Sequence, residues 1–331
     1  MKRIKLVVAY DGTRYCGWQI QDNGVTIEEM LNRALTKLTG EEIRVTGASR
    51  TDSGVHAKGN IAVFDTETRI PPEKICYAVN QYLPEDIVVQ SSEEAPPFYH
   101  PRKCNSLKTY EYRILNRRFP DPVGRFYSYY VHWPLDADKM AEAVSYLKGE
   151  HDFAAFCSAG SQAEDTVRKI YEASVKRDGD LIMIRLTGDG FLYNMVRIIV
   201  GTLMEAGRGL WEPAHMKEIL NGRDRTRAGT KAPAKGLTLV SIRHLDQMPR
   251  EERNTNDWID YTLLRDETET GARVRMILHA CRESERERMI RRSMARAFRD
   301  GAEEFLFREE GDPEWKVFRR QTRNPSDSQK I

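Results

Sequence analysis

Short β-branched runs and stripes of helical spacing alternate along the first 245 residues, and the alternation runs through the chain twice. Ile4 to Tyr10 reads as a strand. From Thr26 to Thr39 the apolar residues Ile27, Met30, Leu31, Ala34, Leu35 and Leu38 recur on one helical face, with Thr26 and Glu29 as a capping box and Gly40 as the stop. Ile43 to Val45 and Ile61 to Phe64 flank a polar loop, Pro71 and Pro72 open a helix over 73–82, and Ile87 to Gln90 is a further strand. In the second half, Thr109 to Leu115 alternates like a strand, and Met140, Ala143, Val144 and Leu147 predict a helix over 136–147. Lys169 to Lys176 and Leu181 to Thr187 pair across the turn Asp178-Gly179-Asp180. Phe191 to Ala206 reads as a long apolar helix ended by Gly207 and Gly209, followed by a helix over 213–220 and a strand over 237–242. The expected class is α+β, with two similar mixed α/β units (residues 1–105 and 106–245) whose sheets meet at a central cleft.

Residues 246–331 differ in composition. They hold 18 Lys and Arg against 19 Asp and Glu, whereas the rest of the chain holds 34 against 31. Ser284 to Arg299 has a capping box at Ser284 and Glu287 and an apolar stripe through Met289, Ile290, Met294, Ala297 and Phe298, with Gly301 as its stop. Val274 to Leu278, Phe305 to Phe307 and Val317-Phe318 read as short strands. The expectation is a small α+β appendage of unassigned role, with 324–331 frayed. Arginine-rich segments bind RNA, but acids here balance the cations, which equally fits a solvated surface.

Several classes of function are disfavoured. No stretch approaches the roughly 18 apolar residues of a membrane span. The start, Met1-Lys2-Arg3, leads into a strand and not into a signal-peptide core, so a cytoplasmic location is expected. Cys16, Cys76, Cys104, Cys157 and Cys281 are scattered, without metal-ligand spacing, and fit reduced thiols. There is no P-loop or Rossmann glycine run. The expectation is therefore no metal and no small-molecule cofactor.

The polar loop between the two apolar stretches is Arg50-Thr51-Asp52-Ser53-Gly54-Val55-His56-Ala57. Arg50 and Asp52 flank Thr51, so in extended backbone both would point to one face. Asp-Ser-Gly is also ordinary turn chemistry. Arg197 is a cation inside a helix that otherwise reads as core, so it needs a partner, and Asp52 is the candidate. The net charge of +2 is a weak signal for nucleic acid. Basic residues such as Arg50, Arg102, Lys108, Arg113 and Arg125 nevertheless interleave with Tyr99, Tyr110, Tyr112 and Phe126. Cations for phosphates beside flat rings for bases are what an RNA groove requires.

The loop resembles the active-site signature of the tRNA pseudouridine synthase A family, with Ser49 and Ser53 where that family usually has Gly and Ala. Further stretches resemble the same family in order: Tyr10-Asp11-Gly12-Thr13 with Gly17-Trp18-Gln19; Phe98-Tyr99-His100 and Lys108 to Ile114; Gly190 to Arg197 with Val200 to Leu203; and Ala232 to Leu237. Asn194 and Ile198 depart from the family's more usual His and Asn. The resemblance covers about residues 1–245.

The resemblance implies the pseudouridine synthase fold, with a central RNA-binding cleft, a tRNA substrate, a homodimer and no cofactor. It implies isomerisation of uridine to pseudouridine in the anticodon stem-loop (positions 38–40), on a base flipped out of its stack. Asp52 would be the catalytic carboxylate, either attacking C1′ or removing the C2′ proton. Arg197 would sit beside it, Arg50 would enter the stem, and Tyr110 would stack on the uracil. His56 is read as stabilising its turn and not as a base. His100, Arg168 and Lys108 are candidate RNA contacts. Two alternatives stay open: a non-catalytic RNA-binding protein or chaperone on the same scaffold, and an aspartate-dependent hydrolase, although no second carboxylate of the kind glycosidases use accompanies a motif.

Overall fold

The computed structural model of the chain describes residues 1–244 apart from 97, 98, 103, 162 and 164. Beyond them it describes 260–268, 271–280, 290, 294, 297, 298, 302–309, 314 and 316–319. The chain divides into two compact units, Met1–Met248 and Pro249–Ile331.

In the first unit the elements run β1 (Lys2–Tyr10), α1 (Ile27–Thr39), β2 (Thr46–Gly47), β3 (His56–Thr66), α2 (Ile75–Val79) and β4 (Ile87–Ala95). There follow β5 (Ser106–Asn116), β6 (Tyr129–Val131), α3 (Ala137–Ser145), β7 (Gly149–Asp152), β8 (Val167–Asp178) and β9 (Leu181–Gly188). The unit closes with α4 (Met195–Gly207), α5 (His215–Gly222) and β10 (Leu237–His244). All ten strands belong to one sheet, ordered β4-β1-β3-β10-β5-β9-β8-β7, with β2 on β3 and β6 on β5.

The last strand makes the sheet continuous. β10 pairs parallel with β3 and antiparallel with β5. Leu239 is the register partner of both Ala57, just past the Asp52 loop, and Tyr110. The loop and the tyrosine, 58 residues apart in sequence, are thus brought together across one strand. Helices supply the core. α1 buries Ile27, Leu31, Ala34 and Leu35, and its ends are as expected: Thr26 Oγ1 accepts from Glu29 N at 3.3 Å, and Gly40 takes the left-handed conformation. α4 is buried almost all round, Arg197 included.

Some elements differ from the sequence expectation. α4 starts at Met195 and not at Phe191, because Tyr193 and Asn194 form an entry turn closed by Met195 N on Leu192 O at 3.0 Å, and Asn194 is left-handed at φ 61°. The helix expected over 73–82 is one 3₁₀ turn (Pro72–Lys74) and the short α2. β7 reads Gly-Glu-His-Asp and carries no apolar alternation, so periodicity could not find it.

The second unit holds a four-stranded sheet, ordered β11 (Asp260–Thr268), β12 (Gly271–Ala280), β13 (Glu304–Glu309) and β14 (Lys316–Arg319). β11–β12 and β13–β14 are antiparallel, and β12 and β13 are parallel. Ala297, Ala302, Phe305 and Phe307 are buried, with Ile290, Met294, Phe298 and Phe318 packed on them. Of the helix expected over 284–299, the described residues 290, 294, 297 and 298 are helical; the remainder, Cys281 and the stretch 324–331 lie outside the described residues.

Candidate active site

The backbone of the Asp52 loop is held largely by groups that carry no charge. Asn60, fully buried on β3, receives Ser49 N on Oδ1 at 3.3 Å and donates from Nδ2 to Ser49 O at 3.0 Å. Asn60 Nδ2 also reaches the Tyr10 hydroxyl at 3.3 Å, and that hydroxyl bonds Thr51 Oγ1 at 2.7 Å. From the other side Trp18 N donates to Thr51 O at 3.0 Å. Gly17, at φ 86°, lies where a Cβ would come within 2.6 Å of Thr51 O, so only glycine allows this approach. Gly54, at φ 77°, turns the chain back toward β3, with Val55 N on Asp52 O at 3.1 Å. Thr51 is thereby buried between the exposed Arg50 and the half-buried Asp52, and all three line the cleft.

Arg197 meets Asp52 from the first turn of α4: Nη1 donates to Asp52 Oδ2 at 3.0 Å. The same nitrogen donates to Asn194 Oδ1 at 3.0 Å, and Nε donates to Ala232 O at 2.8 Å. The Arg197 side chain is 11% exposed and that of Asp52 27%. The cation therefore stands behind the carboxylate, and the carboxylate is the member of the pair that a substrate can reach.

Arg50, Asp52, Lys108, Tyr110, Phe191 and Arg197 are among the residues lining one cleft of about 1070 Å³. The Tyr110 hydroxyl bonds Ser49 Oγ at 2.9 Å, and its ring meets Phe191 edge-on at 5.0 Å. Burial pushes this hydroxyl up to about 12; the Ser49 hydrogen bond opposes the shift and the charge of Asp52 adds to it. The phenol is therefore protonated at neutral pH. Lys108 donates to Ala48 O at 3.1 Å. Burial brings its ammonium down to about 8, and the nearby charges of Arg102 and Arg168 act in the same direction.

A family model described as tRNA pseudouridine synthase matches residues 6–102 and 143–244. Proteins named tRNA pseudouridine synthase A from Clostridium acetobutylicum and Thermoanaerobacter sp. (strain X514) are 49% and 47% identical over 242 residues, 73% of this chain and 99% of each relative. One of the same name from Ruminiclostridium cellulolyticum is 48% identical over 244 residues. The chain belongs to the tRNA pseudouridine synthase family. It is accordingly an isomerase that acts on tRNA.

Of the candidate RNA contacts, Lys108 lines the cleft. Among the described residues that line it, His100 and Arg168 are absent. His100 Nδ1 accepts from Arg102 N at 3.3 Å, and Arg168 acts at a distance through its charge on Lys108. His56 has both ring nitrogens against neighbouring chain: Nε2 lies 2.9 Å from Phe126 O, and Nδ1 lies 3.1 Å from Gly12 N and 3.0 Å from Asp11 Oδ1. With Nε2 as the donor and Nδ1 as the acceptor from Gly12, the imidazole ties three segments together. Sequence reading gave no role to Ser49, Asn60, Tyr10 or Asn194. For Asn60 there was a usable signal, since it is a lone amide in the apolar run of β3 and a buried amide must be paired. Among the described residues no cluster of metal-binding type occurs, and no helix is long and apolar enough to cross a membrane.

Proposed function

We propose that the enzyme isomerises uridine in the anticodon stem-loop of tRNA, at positions 38–40, with Asp52 as the catalytic carboxylate acting on a flipped-out nucleotide. The observation that carries this reading is the Asp52–Arg197 pair: a reachable carboxylate, backed by a buried cation, in a cleft that also holds Tyr110, Arg102 and Lys108. In the reaction the N1–C1′ bond breaks, the uracil turns, C5 bonds to C1′, the C5 proton is lost and N1 is left protonated. Atoms and electrons balance with no external reagent. Asp52 either attacks C1′ or takes the C2′ proton, and both routes use a carboxylate, which here faces the Arg197 guanidinium at 3.0 Å. A base stacked in a stem is out of reach, so it must be extruded at a cost of a few kcal/mol. Cations along the cleft offset that cost by holding phosphates, and Arg50, exposed at the tip of the loop, fills the vacated space. Tyr110 gives the uracil a flat face. The same reading has the protein working in the cytoplasm as a homodimer, which sedimentation of the purified protein tests.

Pseudouridine mapping by carbodiimide labelling and primer extension decides the main claim, using unmodified tRNA with the wild type and with Asp52→Asn. New stops at 38–40 with the wild type alone are the expected result. Stops elsewhere would move the substrate position, and equal stops with the Asn variant would remove Asp52 from the chemistry. Binding of tRNA without any stops would favour a non-catalytic RNA-binding protein.

A further inference from the structure

Asn194 has a conformation that helix formation does not explain. It precedes the first residue of α4 at φ 61° and ψ 9°; among the described residues only Arg223 shares a positive φ without being glycine. Residues at this position are ordinarily extended, with a side-chain oxygen accepting from the second or third amide of the helix. Among the described α-helices two other caps do so. Thr26 is extended and receives Glu29 N, and Asp136 is extended and receives Asp138 N and Lys139 N. Asn194 caps no amide of its helix. Its carboxamide is directed to Arg197 and to Ser158: Oδ1 accepts from Arg197 Nη1 at 3.0 Å, and Nδ2 donates to Ser158 Oγ at 3.0 Å.

Chemistry fixes which way round that amide stands. A guanidinium only donates, so the oxygen must face Arg197 and the NH₂ must face the serine hydroxyl. Arg197 Nη1 carries two hydrogens, one used on Asn194 and the other on Asp52. Nε is fixed by Ala232 O, and Ala232 N returns a hydrogen bond to Arg197 O at 3.1 Å. The guanidinium is thus oriented by a neutral acceptor on one side, which leaves its charge to Asp52. A carboxylate at 194 would have nearly the same shape but would compete for that charge.

Resting on the reading of Asp52 as the catalytic carboxylate, we propose that Asn194 is a positioning residue of the active site, whose amide oxygen holds Arg197 in register with Asp52. A left-handed backbone and a forgone helix cap serve this contact. Strain at an observed outlier of this kind is commonly retained at functional sites.

The test uses the full chain, tRNA labelled with tritium at uridine C5, and release of the label as the readout. Asn194→Gly keeps the backbone conformation at no steric cost and deletes the amide. Asn194→Asp keeps the shape and adds the competing charge. The expected result for Asn194→Gly is a fall in kcat of about tenfold, with KM for tRNA within about twofold and an undiminished Tm, since displacement of a reacting group by 1 Å costs about a hundredfold. Asn194→Asp should lose more than Asn194→Gly. In an Arg197→Lys background, Asn194→Gly should have no further effect, because residues that act through one another are not additive. A kcat for Asn194→Gly within twofold of the wild type overturns the proposal. So does an equal loss in both backgrounds, or a loss that follows a lowered Tm, since either marks a purely structural role. Absence of tritium release by the wild type would remove the underlying reading, and this inference with it.

Discussion

The polar residues around the cleft fall into two sets built on opposite principles. The Asp52 loop is held by neutral groups whose hydrogen bonds are matched: Asn60 makes four, to Ser49 N, Ser49 O, the Tyr10 hydroxyl and Ile61 N. The second set is made of like charges. Lys108 lies near Arg102 and Arg168, Arg102 lies near Arg50, and each neighbour lowers the proton affinity of the group it faces, in addition to what burial does. Neutral pairing gives fixed geometry that neither salt nor pH disturbs in the working range. A self-repelling cluster gives no precision of its own, but it is relieved when a polyanion arrives. The backbone of the Asp52 loop is thus positioned by the first set, with Arg197 holding the carboxylate itself, and the polyanionic substrate is drawn in by the second.

The sharpest way to break this contrast is Asn60→Leu. Its four hydrogen bonds are buried, so the change strands the Ser49 amide and its carbonyl and leaves the Tyr10 hydroxyl to Thr51 alone. Each stranded group costs about 1–3 kcal/mol. A loss of about 3 kcal/mol overall is expected, read as a Tm about 6–12 °C lower for a unit of this size. Pseudouridine formation should fall at least tenfold even at temperatures where the variant is fully folded, because the loop carrying Asp52 is no longer fixed. A variant that loses stability but keeps the wild-type kcat would show that the loop holds its shape without this network.

How much of this was legible in advance follows the same division. Local signals are legible: the Thr26 cap, the Gly40 stop, the hairpin turn at Asp178-Gly179-Asp180 and the strands β1, β5, β8, β9 and β10 stand where spacing puts them. The pairing of Arg197 with Asp52 was also accessible, since a cation in an apolar helix has to be answered by something. What the sequence hid depends on contacts between distant segments. The insertion of β10 between β3 and β5 follows from no local pattern, and without it the nearness of Tyr110 to the loop cannot be derived. Asn194 looked like part of a helix because Phe191 to Ala206 is apolar throughout, and a left-handed residue leaves no periodic trace.

A smaller effect, specific to the charged set, is expected at Lys108. Its ammonium loses a proton at about pH 8 in the free enzyme, well below an ordinary lysine. A bound phosphate favours the charged form, so binding takes up a proton. Affinity for tRNA at constant ionic strength should therefore weaken as pH rises through about 8, by up to about tenfold per pH unit, a proton being linked to each binding event. Lys108→Arg should flatten this dependence and keep the affinity. Lys108→Met should flatten it while weakening binding, and should reduce the slope of log K against log salt by about 0.7–0.9, the amount for one lost phosphate contact. An unchanged pH profile in Lys108→Met would place the titrating group elsewhere.

The smallest effect is expected from the second unit, and it bears on whether the charged set extends beyond residue 244, where the family match ends. The unit has its own four-stranded sheet and its own buried cluster around Phe305 and Phe307. Deleting 246–331 should therefore change the Tm of the remaining unit by only a few degrees, less than one core substitution would. Residues 246–331 hold 16 arginines and 2 lysines against 19 acids, so any contribution to RNA binding cannot come from net charge and has to come from how the arginines are arranged. If they are arranged to guide RNA, the truncated enzyme binds tRNA about twofold to threefold more weakly, loses less than about 0.7 of a unit of salt slope, and modifies the same uridines more slowly at low tRNA concentration. An unchanged affinity and an unchanged modification profile would confine RNA recognition to the first unit, where Lys108, Arg102 and Arg50 already supply the cations that line the cleft.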